Sequence, residues 1–265
     1  MEALQKLEAW FAKCPGALIA FSGGVDSSLT AFVAQHFLGR DSVLAVISAS
    51  PSLKLSDLAE AKEFARLYHL PLKVITTQEM QNADYFSNPS NRCYYCKHTL
   101  YDELAGLRDI YPNWWVLNGT NVDDHGDYRP GLKAAEEFQV HSPLAECGLT
   151  KEDVRVLAEH FQLSCWNKPA SPCLASRVPY GENITVEKLR QIEAAEALLK
   201  VAGFPVNRVR HMGEAARIEV PQEDVKCLQS QAAELVPQVL ALGFDRVELD
   251  EEGFVSGKLN RALNV

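Results

Sequence analysis

Long apolar runs are missing from this chain of 265 residues. The longest, Ala17 to Phe21, falls far short of the ~20 residues needed to cross a bilayer, so no membrane partner is expected. The opening stretch MEALQKLEAWFAKC carries acidic residues and no small-residue cleavage site, so no export leader is expected either. Basic charge is also in short supply. Lys and Arg number 26 against 35 Asp and Glu, a formal charge of −9, which is the wrong balance for a dedicated nucleic-acid binder. An even set of cysteines is lacking: there are seven, without an export signal, which argues against a disulfide scaffold and for thiols that serve as ligands or nucleophiles in a cytosolic protein. What is present is ordinary. With 47% hydrophobic and 23% charged residues, neither a disordered tail nor a collagen-like fibre is in question. The length suits one large domain or two modest ones.

The first two-thirds alternate strand and helix. Ala17–Phe21, Val43–Ser48, Leu72–Thr76 and Trp114–Leu117 read as short buried strands. Between and after them, helical periodicity runs from Leu29 to Phe37, from Ser56 (a candidate cap) to Tyr68, and over Lys97–Leu107, Gly131–Phe138 and Thr150–Phe161. Thr150 with Asp153 suits a capping box. Such alternation predicts an α/β fold with a doubly wound parallel sheet, because right-handed crossovers put helices on both faces. Three long polar segments, 78–92, 119–130 and 164–185, interrupt it and are read as functional loops. Beyond Thr185 a helix from Val186 to about Ala202 stops at Gly203. Strand-like pieces follow at Val206–Arg210, Ala216–Val220 and Arg246–Leu249, with one helix between Gln222 and Leu242. This predicts a domain over 1–180 and a small α+β module over 181–265.

The sharpest motif lies between the first strand and its helix: Ser22, Gly23, Gly24, Val25, Asp26 and Ser27. Adjacent glycines let the backbone approach a phosphate closely, and the unpaired N–H groups at a helix start bind the anion. The Walker loop is excluded because no Lys-Ser/Thr pair follows, and the dinucleotide fingerprint because the glycines are not spaced G-x-G-x-x-G. SGGVDS resembles the PP-loop of the N-type ATP pyrophosphatases, which cleave ATP between its α and β phosphates. Asp26 can either position Mg²⁺ there or cap the helix.

Cys93 and Cys96 form a CxxC, and Cys173 lies in the third polar segment. A CxxC serves redox pairs, half of a zinc site or iron–sulfur ligation. No second CxxC or clustered His completes a zinc finger. Three thiolates would leave one iron of a [4Fe–4S] cluster without a protein ligand. Cys14, Cys147, Cys165 and Cys227 have no partner spacing and are assigned to packing. Glu196 falls in the apolar stripe of its helix with Leu189, Ile192 and Leu199, so its charge requires a cation or metal. Arg208 and Arg210, two apart on a strand, share one face and can grip an anion.

Together, SGGVDS, NRCYYCK, GTNVDDHGDYRPG, NKPASPCLASRVPYG and VNRVRHMGEAARIE resemble the LarE family of ATP-dependent sulfur transferases over nearly the whole chain. The resemblance implies adenylation of the carboxylates of pyridinium-3,5-biscarboxylic acid mononucleotide and their conversion to thiocarboxylates, precursors of the nickel-pincer cofactor. It implies ATP, Mg²⁺, a sulfide or other sulfur donor, and a homo-oligomer. It implies that Ser22–Ser27 bind ATP phosphates, that Ser48 lies by the nucleotide, and that Lys97, Ser176, Arg177, Glu196, Arg208 and Arg210 lie near substrate, phosphate or metal. In sacrificial members of the family a single cysteine in the third loop surrenders its sulfur. The corresponding slot here is Pro172, with Cys173 one place later, and the CxxC is additional. The chain therefore resembles the three-cysteine branch, in which Cys93, Cys96 and Cys173 hold a [4Fe–4S] cluster whose open iron carries a hydrosulfide. Single turnover through Cys173 is the alternative within that family. Outside it, a PP-loop tRNA thiolase would need a basic groove that the acidic balance does not favour. A non-catalytic nucleotide-binding sensor would release no pyrophosphate with any acid. An amide-forming enzyme would need an ammonia-delivery module.

Overall fold

The computed structural model describes residues 2–126, 129–255, 258 and 261, so Asp127 and Tyr128 of the DYRPG motif lie outside the described residues. In chain order the first elements are α1 (Glu2–Phe11), β1 (Ala17–Ala20), α2 (Val25–Leu38), β2 (Val43–Ser48), α3 (Leu55–Leu67) and β3 (Leu72–Ile75). There follow α4 (Ala83–Phe86), α5 (Arg92–Gly106), β4 (Trp115–Leu117), α6 (Gly131–Glu137), α7 (Pro143–Glu146) and α8 (Lys151–His160). The chain continues with α9 (Val186–Val201), β5 (Arg208–Met212), β6 (Ala215–Glu219), α10 (Val225–Ser230), α11 (Ala232–Leu240) and β7 (Arg246–Leu249).

Two units share these elements: 1–79 with 91–171, and 80–90 with 172–265. The first contains a wholly parallel sheet in the order β3-β2-β1-β4. Side chains alternate across each strand, so β1 feeds two cores. Ala17 and Ile19 face Leu7, Phe11, Leu29, Val33, Val154 and Leu157, from α1, α2 and α8. Leu18 and Ala20 face Tyr101, Leu104, Ala134 and Ala135, from α5 and α6. The doubly wound architecture expected from the alternation is present. The strand order reverses at β1, with β2 on one side and β4 on the other, and the crevice at such a switch point is where open α/β sheets take ligands.

The second unit builds a sheet in the order β5-β6-β7, antiparallel then parallel. Val209, Ala216 and Ile218 pack against Ala195 and Leu199 of α9 and against Leu228, Leu235 and Val239. The segment 80–90 belongs here because Asn88, wholly buried, stitches it to the chain after Arg177. Its amide donates to the Val178 and Pro179 carbonyls at 3.1 and 2.7 Å, and its own carbonyl accepts from Gly181 N–H.

Several local expectations shift. Ser56 does not cap α3: the helix begins two residues earlier, with Lys54 at its N-cap, and Leu58 N–H bonds the Lys54 carbonyl. α5 starts at Arg92 rather than Lys97, which places the CxxC in the first turns of that helix rather than ahead of it. The single helix expected over 222–242 is a short turn plus α10 and α11. The Ser230 hydroxyl bonds back to the Cys227 carbonyl at 2.7 Å, competing with continuation of the helix. α1 is an additional element, and the changeover between units falls at Pro172. The Thr150–Asp153 capping box is present, with both reciprocal bonds. Among the described residues, no helix is long and apolar enough to cross a membrane.

Candidate active site

The phosphate loop springs from the carboxyl end of β1. Gly23 adopts φ +73°, a conformation that L side chains rarely tolerate, and an added Cβ would stand 2.9 Å from the Ala61 Cβ. Ser27 ties the loop to itself: its hydroxyl donates to the Gly24 carbonyl (3.1 Å), receives Ser22 N–H (3.2 Å) and lies 3.0 Å from the Ser22 hydroxyl. Gly24 is the N-cap of α2 and offers no side-chain cap, so the amides at the helix start face outward unclaimed by a side chain of the cap residue. That is an anion nest at the positive end of a fourteen-residue helix.

Asp26 is half-buried in the first turn of α2, and its carboxylate accepts from the Asn121 amide at 2.7 Å. Asn121 belongs to the segment after β4, which crowds the helix start: a Cβ on Gly119 would meet Ser27 N at 2.6 Å. Ser48, at the carboxyl end of β2, shares a 2.5 Å hydrogen bond with Thr77, and Thr77 donates to the buried Glu79 carboxylate. Ser22–Ser27, Asp26 and Ser48 thus stand at the carboxyl ends of the adjacent strands β1 and β2.

On α5, Cys93 and Cys96 are one turn apart at the N-terminus, the first exposed and the second half-buried. Lys97 follows, its ammonium 5.9 Å from the Tyr101 ring centroid. Of the four thiols assigned to packing, Cys227 is exposed on α10 and does not pack, while the other three are buried or half-buried. Burial pushes Cys14 up to about 11 and also raises Cys147 and Cys165, which keeps them protonated and inert.

The second unit holds Cys173, Ser176, Arg177, Glu196, Arg208 and Arg210. Exposed Cys173 begins a helical turn over Leu174–Arg177, and its carbonyl accepts the Ser176 hydroxyl at 2.7 Å and the Arg177 guanidinium at 3.2 Å. Arg177 is completely buried. It donates through Nε to Glu196 Oε1 at 2.8 Å and through Nη2 to Oε2 at 3.3 Å, while Nη1 reaches the Pro172 carbonyl at 2.7 Å. The cation that buried Glu196 requires is therefore Arg177, and Val209 N–H adds a bond at 3.2 Å. A metal ion at Glu196 would have to displace this guanidinium, so the donor set there does not fit Mg²⁺.

Arg210 and Arg208 share a strand face but not a role. Arg210 is buried and forked onto Glu219 at 2.9–3.1 Å, with Nη1 on the Ser176 carbonyl at 2.8 Å. Arg208 is half-buried, 5.0 Å from the Phe254 ring centroid. Burial, then the neighbouring Arg177, lowers its guanidinium to about 10, with Glu196 opposing the shift. Glu219, Asn121 and Thr77 escaped the sequence reading. Glu219 lies diagonally from Arg210 across the β5–β6 pair, a relation visible only once the register is known.

Residues 5–91 match the NAD synthase family, the span that contains the phosphate loop and β1 to β3. Along 92% of the chain, and 89% of the relative, the sequence is 36% identical to the pyridinium-3,5-bisthiocarboxylic acid mononucleotide synthase of Lactiplantibacillus plantarum. The chain belongs to the LarE family. An uncharacterized protein of Synechocystis sp. is 44% identical over 98% of this chain and 97% of its own, and one from Methanocaldococcus jannaschii is 30% identical over 89% of both. As a LarE-family protein with a PP-loop, the chain is an ATP-dependent sulfurtransferase.

Proposed function

We propose that the chain adenylates the carboxylates of pyridinium-3,5-biscarboxylic acid mononucleotide and exchanges the AMP for sulfur, giving the thiocarboxylates used for nickel-pincer cofactor synthesis. The observation that carries this is 36% identity, spread over nearly the whole chain, to an enzyme named for that product. The chemistry is consistent with the residues present. A carboxylate resists attack because oxide is a poor leaving group. Linking its oxygen to the α-phosphorus of ATP breaks the α–β bond, expels pyrophosphate into the nest at Ser22–Ser27 and leaves AMP as the group to be displaced. Sulfide then adds to the acyl carbon, the C–O bond to AMP breaks, and the thiol proton is released. No electrons are exchanged.

Asp26 is assigned to Mg²⁺, which would neutralise phosphate charge. Its half-exposed position beside the nest and its Asn121 anchor fit a ligand that must be oriented. Ser48 is assigned to the nucleotide, and Lys97 with Ser176 to the substrate. Arg208 is assigned to the substrate's phosphate, with Arg210 and Arg177 holding the wall beside it. Cys93, Cys96 and Cys173 are assigned to a [4Fe–4S] cluster. What supports the assignment is donor type: all three are accessible or partly accessible thiols, the soft ligands such a cluster takes. Among the described residues, no group of three or more His, Cys, Asp or Glu is gathered so as to hold a metal ion. When bound, such a cluster would supply an iron open to exogenous sulfide.

The test is an anaerobic incubation of the protein with ATP, sulfide and the pyridinium diacid. AMP, pyrophosphate and the thiocarboxylate are expected in step, over many turnovers. A Cys93→Ala/Cys96→Ala variant should lose iron and repeated turnover together. ADP as the nucleotide product would overturn adenylation, and undiminished turnover by the double variant would overturn the cluster assignment.

A further inference from the structure

The segment just before Cys173 carries a lysine that the catalytic assignments leave unused. Lys168 is largely buried, and its ammonium lies 2.8 Å from Glu60 and 3.1 Å from Asp57, both on α3. Its third neighbour is the Gly23 carbonyl of the phosphate loop, at 3.5 Å. Asp57 is itself buried and is held from its other oxygen by the Ser171 hydroxyl at 2.7 Å. Gly23, Glu60 and Lys168 also line a cavity of about 590 Å³, together with Phe64, Leu67 and Cys165. Burial works against the ammonium's charge, but the two carboxylates outweigh it and raise the group above its ordinary range, so it is a permanent cation.

We propose that Lys168 is a positioning residue for the phosphate loop, fixing the Gly23–Gly24 peptide in its anion-binding orientation and neutralising the two carboxylates beside it. The inference rests on the loop holding ATP's phosphates. Its first element is geometric. In a trans peptide the carbonyl and the following N–H point opposite ways, so a cation drawing the Gly23 carbonyl to one side aims the Gly24 N–H to the other, where it donates to the Ser22 hydroxyl at 3.4 Å, a long bond that a phosphate oxygen can share. Gly23 needs such a hold, because its positive φ belongs to a residue with wide conformational freedom. The second element is electrostatic. Asp57 and Glu60 place two negative charges next to a site for a polyanion, and Lys168 is the group that bonds both. Without it the loop would face phosphate with its flank negative. The segment 168–171 is thereby tied through Asp57 to the same helix that packs on Gly23.

The test measures binding of pyrophosphate, ATP and AMP to the full chain by calorimetry. Lys168→Met should weaken pyrophosphate and ATP by about tenfold or more while AMP, with one phosphate, changes by less than about twofold. Lys168→Arg, which keeps the cation, should restore most of the loss. Equal weakening of AMP and pyrophosphate would show a merely structural role, and unchanged pyrophosphate binding would show no role; either overturns the proposal. If Lys168→Met does not fold, Glu60→Gln decides: removing one flanking carboxylate should tighten pyrophosphate by about twofold to threefold, and no gain overturns the idea. If the unmodified chain binds neither pyrophosphate nor ATP, the phosphate-loop reading falls as well, a failure distinct from one confined to the variants.

Discussion

Arg208 and Arg210 look equivalent in the sequence, two basic residues on one strand face, yet their surroundings assign them opposite liabilities. Arg210 is forked onto Glu219, which is 2% exposed, so removing the guanidinium strands a buried carboxylate. Arg210→Met should cost about 3–5 kcal/mol of stability. Arg208 sits where burial and neighbouring arginines already disfavour its charge, so Arg208→Met should change stability by less than about 1 kcal/mol. The same substitution should weaken binding of the phosphorylated substrate by about tenfold or more, since a charge-assisted contact is lost. Urea unfolding followed by circular dichroism, paired with substrate titration, separates the two. Equal destabilisation by both variants would contradict this division of labour.

At the level of elements, the decisive joint is the approach of the β4 segment to the start of α2. Gly119 leaves no room for a Cβ, which would press on Ser27 N at 2.6 Å and on the Asp26 carbonyl carbon at 2.8 Å. Gly119→Ala should cost about 1–3 kcal/mol by overpacking, and should lower ATP affinity because the displaced atoms belong to the nest. Thermal unfolding with and without ATP checks both parts; an unaltered ligand-induced shift would mean that the loop absorbs the strain. Elements of this kind were legible in part. β1, β2 and the alternation of strand with helix follow from short apolar runs and helical periodicity, and SGGVDS from its adjacent glycines. The start of α5 did not, because Arg92 to Cys96 carries no apolar stripe and its helix is secured by packing elsewhere. Lys168 with Asp57, 111 positions apart, and Asn88 with Pro179, 91 apart, leave no local trace. Only the folded chain makes these pairs neighbours. Glu196 was legible as a buried charge but its partner was not, because the argument from burial demands a cation without saying which.

On the scale of the whole molecule, the sheet places β1 between β2 and β4, with all four of its residues buried and helices over both faces. Burying side chains such as Leu18 and Ile19 completely contributes roughly 1.5–3 kcal/mol each. No partial opening that leaves the surrounding helices in place can reach these amides. In hydrogen–deuterium exchange, Ala17–Ala20 should therefore be among the last amides to exchange, and ATP should slow the loop at 22–27 while leaving the strand at its global-unfolding limit. Fast exchange in β1 would refute this ordering. The consequence is mechanical. A nest made of peptide groups is braced by few side chains, Ser27 and Lys168 among them, and a flexible root would blur it. Rooted in the strand that is hardest to expose, the glycine loop borrows its stiffness from the entire sheet, and can remain soft in composition while holding a fixed shape.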